Sequence, residues 1–173
     1  MTTRVARAAA VAGTALALLG GALPASANDD PHRTAEPLGP VDLPAGYCAF
    51  PVHMDWIANR EYATVTVLPD GSTAFVTTGA LIAVVTNEAT GATVRVNASG
   101  PGTITVSADG SSLAYDVRGL LVLPATNLTA YGYPSNLVVT SGPARFVQAS
   151  GLGPITSTTT APHLLYDVCA ALS

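Results

Sequence analysis

The sequence predicts an all-β fold, an antiparallel sandwich or barrel of about nine to ten short strands behind a cleaved leader. Three observations predict it. Runs rich in Val, Thr, Ile and Leu recur about every 8–12 residues. Turn signals built on Gly, Pro, Asp and Asn separate them, and no helical period of any length follows the first 27 residues. Charged residues make up only 10% of the 173-residue chain, whereas disorder needs high charge and low hydrophobicity.

The leader comes first in the chain. Arg4 and Arg7 precede an apolar run from Ala8 to Leu23, and Ala25-Ser26-Ala27 then offers small side chains at the −3 and −1 positions. This is the grammar of a secretory signal peptide, residues 1–27, with the mature chain expected to start at Asn28. The run is too short and too Ala-rich for a membrane span, which takes about 20 strongly apolar residues. A secreted, extracellular protein with no membrane insertion after cleavage is therefore expected. The chain carries a net charge of −4 at pH 7, and losing Arg4 and Arg7 with the leader takes it to −6. An acidic surface repels phosphates, so no nucleic acid partner is expected.

Residues 28–46 hold four prolines and no apolar period, and read as a flexible Pro-rich linker. A single β domain is expected over 47–173. Cys48-Ala49-Phe50-Pro51-Val52 opens it, with Pro51 suggesting an edge strand. Tyr62 to Val67 alternates Ala63, Val65 and Val67 against threonines, and Pro69-Asp70-Gly71 turns into Ser72–Thr77. Leu81–Thr86 is nearly all apolar and reads as a central strand buried on both faces. Thr93–Ala98 has the cleanest period of two, with Val94, Val96 and Ala98 inward. Asp109-Gly110 marks a hairpin between 103–106 and 113–117. Further runs follow at 120–123, 137–140, 145–148 and 164–168, with one helical turn at Cys169–Leu172.

The two cysteines, Cys48 and Cys169, stand near the two ends of the domain. In an oxidising compartment they are expected to form one disulfide, with the first and last strands lying antiparallel and close together.

Three stretches carry a resemblance: Cys48-Ala49-Phe50-Pro51-Val52, the run Thr86–Asn97 followed by Ser99-Gly100-Pro101-Gly102, and Asp167-Val168-Cys169-Ala170-Ala171-Leu172. Together they resemble a group of uncharacterised small secreted actinobacterial proteins. Members open on Cys-Gly-Phe-Pro and close on a Cys near the carboxyl terminus; this chain has Ala49 in place of the glycine. The resemblance implies secretion, one β domain and a terminal disulfide. It brings no activity.

The residues give no catalytic, cofactor-binding or metal-ligating constellation. Gly-x-Ser-x-Gly is absent, no Cys-x-x-Cys occurs, and the acidic residues form no shielded and solvated pair of the glycosidase kind. The nearest approach to chemistry is His53-Met54-Asp55, an imidazole and a carboxylate on one face of an extended segment. With His163 as a distant third group it would make half of a metal or acid–base site. Tyr131-Gly132-Tyr133-Pro134, with Tyr62, Tyr115 and Trp56 elsewhere, offers aromatics for a sugar or peptide platform. Two readings follow. The first is a secreted non-enzymatic β domain that binds an extracellular ligand or envelope component. The alternative is a small extracellular hydrolase or metal-dependent enzyme using His53, Asp55 and His163.

Overall fold

The computed structural model describes residues 34–35 and 38–173, so the leader and its cleavage site lie outside the described residues. The fold is all-β and antiparallel, with a nine-stranded and a three-stranded sheet. The chain runs β1 (Thr34–Ala35), β2 (Val41–Leu43), β3 (Val52–Val67), β4 (Thr73–Asn87), β5 (Thr93–Asn97) and β6 (Gly102–Val106). It continues through β7 (Ser112–Val117), β8 (Leu120–Pro124), a 3₁₀ turn (Leu128–Tyr131), β9 (Leu137–Ser141), β10 (Ala144–Ala149), β11 (Ile155–Thr160), β12 (His163–Asp167) and α1 (Val168–Ala171).

The spine is one long hairpin. β3 and β4 pair from Val52↔Asn87 out to Val67↔Thr73, where the sequence had suggested separate short strands. The turn at its tip is closed by backbone bonds Leu68 N–H to Ser72 O (2.8 Å) and Gly71 N–H to Leu68 O (3.0 Å). Asp70 accepts from both Ser72 N–H and Ser72 Oγ, bonds that hold its carboxyl below the usual carboxylate range. Along one edge of β4, Thr73–Thr77 pairs with β6 and Ile82–Thr86 with β5. The hairpin thus belongs to two strand groups, β2 and β5 at its base and β6–β7–β10–β11 beyond.

The three-stranded sheet, in order β12-β9-β8, lies between these groups. Along β8 and β9 successive side chains point to opposite faces. Val122, Leu137 and Val139 enter a core with Val52, Met54, Ala83, Val85 and Val96. Their neighbours Leu123 and Val138 enter a second core with Ala144, Phe146 and Ile155. In that second core Tyr115 stacks on Phe146 with ring centroids 4.6 Å apart, and burial pushes its hydroxyl up to about 12. The strand buried on both faces is therefore β9, whose first four residues are all buried. Leu81–Thr86 is central in its sheet, but Ile82, Val84 and Thr86 are only half-buried.

Glycine makes the passage between the two groups possible. Gly79, in mid-β4 with φ +146°, has its missing Cβ position occupied by the Arg60 carbonyl. Gly100, between β5 and β6, lies against Gly119, between β7 and β8; a Cβ on Gly119 would meet Gly100 Cα and stand 2.9 Å from Ser99 O. Arg118 N–H to Pro101 O and Leu120 N–H to Ser99 O, both 3.0 Å, hold the two connections side by side.

Several expectations need correction. Val41–Leu43, inside the span read as linker, is a strand: it pairs with Leu43↔Val52 through Val41↔Met54, and Leu43 is buried in the first core. Cys48–Pro51 precedes the first long strand instead of forming an edge strand. Ala63 faces inward as the alternation requires, but the core stops there, leaving Val65 and Val67 exposed. The Thr-rich β11, unread in the sequence, pairs with β10 through two register shifts.

The Cys48–Cys169 disulfide is present, with Cα atoms 5.4 Å apart. It does not join adjacent antiparallel strands, because β3 and β12 belong to different sheets. It joins the β2–β3 connection to α1, the helical turn expected at the end of the chain. Asp167 caps that turn, accepting from Cys169 N–H and Ala170 N–H.

Two predictions follow from these contacts. Closing a loop of 121 residues restricts the unfolded chain, so Cys48→Ser/Cys169→Ser should lower the unfolding free energy by about 2–5 kcal/mol. Urea titration followed by far-UV dichroism tests this, with the native spectrum retained. Gly119→Ala forces backbone apart at the crossing and should cost about 1–3 kcal/mol or more. Gly39→Ala, with nothing within 4 Å of the new methyl, should stay within about 0.5 kcal/mol.

Candidate functional site

The base of the hairpin builds the densest group of chemically capable side chains. In β2, Val41 and Leu43 turn toward the core and Asp42 turns out. In β3, Val52 and Met54 are buried while His53 and Asp55 lie on the outer face. The register sets Asp42 directly opposite His53. On the other side of His53 stands Thr86 of β4, and Glu88 follows as β4 ends.

Each residue is held by its backbone. Trp56 Nε1–H donates to Gly39 O at 3.1 Å, pinning the chain just before β2. Glu88 N–H donates to Pro51 O at 3.1 Å. The neighbouring Asn87 is buried, donating from Nδ2 to Leu172 O and accepting from Ala89 N–H on Oδ1. Asp42, His53 and Glu88 can each present one donor atom so that all three lie within 4.8 Å of one another.

Within this group His53 Nδ1 and Asp42 Oδ1 are 2.6 Å apart. Donation from the ring to the carboxylate favours the imidazolium, with the negative charges of Asp42, Asp55 and Glu88 adding to it, and together they raise the His53 pKa. The His53 side chain is 39% exposed and that of Asp42 79%, so solvent screens the pair.

Of the residues singled out in the sequence, His53 and Asp55 do share a face. His163 does not join the three-donor group; it stands exposed in β12 opposite Ser141. The two partners of His53 that the sequence reading missed are Asp42 and Glu88. Neither was announced locally: Val41–Leu43 is too short to read as a strand, and Glu88 stands in the turn after β4.

The aromatic platform is not assembled as expected. The Tyr131 hydroxyl donates to Ile155 O at 3.2 Å and that of Tyr133 to Pro162 O at 2.8 Å. Tyr133 packs on the second core, and Trp56 packs on the first. The first bond ties the 3₁₀ turn to β11, and the second ties the segment after that turn to the β11–β12 connection.

A second feature lies on the outer face of the β6–β7–β10–β11 group. Thr103, Thr105, Asp116, Arg145, Ser157 and Thr159, together with Ala114, Tyr115, Phe146 and Val147, line an open depression of about 220 Å³ whose exposed lining is mostly apolar. Arg145 Nη2 and Asp116 Oδ2, opposite each other on β10 and β7, pair at 3.0 Å. The depression is smaller than the usual range for enclosed small-molecule sites, about 300–1,000 Å³.

Compared with protein-family models, with curated proteins and with solved structures, the chain matches none. No helix among the described residues is long and apolar enough to cross a membrane.

The His53–Asp42 pair yields a prediction with a definite sign. Its folded pKa is raised, so the pair's contribution to stability is fully present below the unfolded value of about 6.5. It is lost as pH rises through the folded value. Titration of the His53 ring by NMR should give a midpoint above 6.5, and Asp42→Asn should move it down. A midpoint unchanged in that variant refutes the pairing.

Proposed function

We propose that this chain is an exported β domain that works by binding an envelope component, with no chemistry of its own. The leader grammar of residues 1–27 supports export, and a disulfide belongs to oxidising compartments. The resemblance to small secreted actinobacterial proteins points the same way.

The observation that carries the binding reading is the open depression in which threonine and serine hydroxyls and the Arg145–Asp116 pair stand beside apolar surface from Ala114 and Val147. A shallow surface of this kind cannot enclose a small molecule. It can lie against an extended one, and Thr103, Thr105, Ser157 and Thr159 offer donors and acceptors to a hydroxyl-rich chain such as a cell-wall polysaccharide. The half-exposed guanidinium and carboxylate add planar, charge-assisted partners.

Cosedimentation of the secreted chain with purified cell-wall polysaccharide tests the proposal. The chain should pellet, start at Asn28 by intact mass, and leave the polysaccharide unhydrolysed. Arg145→Ala removes charge-assisted bonds, each about 1.5–3 kcal/mol, and should weaken binding at least about tenfold. A chain that stays in the supernatant overturns the reading. Release of soluble reducing ends favours the hydrolase alternative.

A further inference from the structure

The three-donor group at the hairpin base lies on a different strand group from the β6–β7–β10–β11 depression and does not depend on it. His53 has a carboxylate partner in β2 and another just past the end of β4. A structural or catalytic ion pair needs one carboxylate; here two converge on one imidazole, from three separately anchored segments.

We propose that Asp42, His53 and Glu88 form a divalent-cation site of the zinc class on the outer face of β2 and β3. One imidazole and two carboxylates are a donor set that zinc accepts, with ligands about 2.0–2.2 Å from the metal and water completing a tetrahedron. Two such ligands stand about 3.3 Å apart in that geometry. The present donor separations, all within 4.8 Å, reach it by side-chain rotation, because the exposed Glu88 and Asp42 side chains are free of core packing.

The chemistry of the Asp42 bond fits the assignment. A metal would take the place of the proton between His53 Nδ1 and Asp42 Oδ1, now 2.6 Å apart, the two atoms opening to about 3.3 Å as ligands of one ion. Asp55, on the same face, adds attraction for a cation without belonging to the group. Bound metal would clamp β2 to β3 and to the end of β4.

Calorimetric titration of the secreted chain with zinc chloride tests the site. Two other histidines could take zinc, so the titration is run on His32→Ala/His163→Ala, which leaves the three donors intact. One equivalent should bind, and the His53 ring resonances should shift on addition. In that background His53→Ala, Glu88→Gln and Asp42→Asn should each lower the affinity by about 10–100-fold. Far-UV dichroism checks that these surface variants stay folded. Failure to bind zinc overturns the proposal, as does affinity unchanged by His53→Ala. Affinity unchanged by Glu88→Gln or Asp42→Asn overturns the three-donor assignment.

Discussion

The architecture depends on the three-stranded sheet β12-β9-β8 being apolar on both faces along β8 and β9. Leu121, Val122 and Leu123 alternate between two cores, as do Leu137, Val138 and Val139. A strand of this kind cannot leave either face to water: each buried aliphatic side chain is worth about 1.5–3 kcal/mol relative to exposure. Both faces must therefore be covered. The nine-stranded sheet does this by presenting β2–β5 to one side and β7, β10 and β11 to the other.

Covering two faces with one sheet imposes a second requirement. The chain has to pass from one group to the other without leaving buried backbone groups unpaired. The crossing at Gly100 and Gly119 meets it, since backbone lies on backbone where no Cβ would fit. The hydrogen bonds flanking those glycines keep the two connections paired through the crossing. The long hairpin supplies continuity on its own, because β4 pairs with β6 before Gly79 and with β5 after it.

Fold class, most turns, the closing helical turn and the disulfide were legible because each has a local cause. Alternation in Thr93–Asn97 and the Asp109-Gly110 turn are short-range signals. Asp109 indeed organises its turn, accepting from Ser107 Oγ, Ser111 N–H and Ser111 Oγ, which brings its carboxyl down to about 2. What escaped was set by distant partners. Val41-Asp42-Leu43 is too short to read as a strand, and becomes one because β3 supplies the ladder and the core takes Leu43. The polar run Ile155–Thr160 is a strand only because β10 stands beside it. The grouping of Asp42, His53 and Glu88 depends on register between strands, which no period within one segment encodes.

The same long-range constraints explain why an exposed site can be well defined. Its side chains lie in solvent, yet every segment that carries them is fixed from below. Leu43, Val52 and Met54 are the buried neighbours of Asp42 and His53. Cys48, in the connection between β2 and β3, is bonded to Cys169 of α1. Asn87, which precedes Glu88, donates to Leu172 O immediately after α1. The Tyr47 hydroxyl adds a bond to Leu152 O at 2.8 Å. The carboxyl-terminal turn is thus a common anchor for all three donors. That makes the disulfide more than a restriction on the unfolded chain: in the folded one, it holds β2 and β3 to the same helical turn that holds the end of β4. Alternation turns Asp42 and His53 outward, Glu88 follows in the turn after β4, and the bridge ties the segment between β2 and β3 to the closing helical turn.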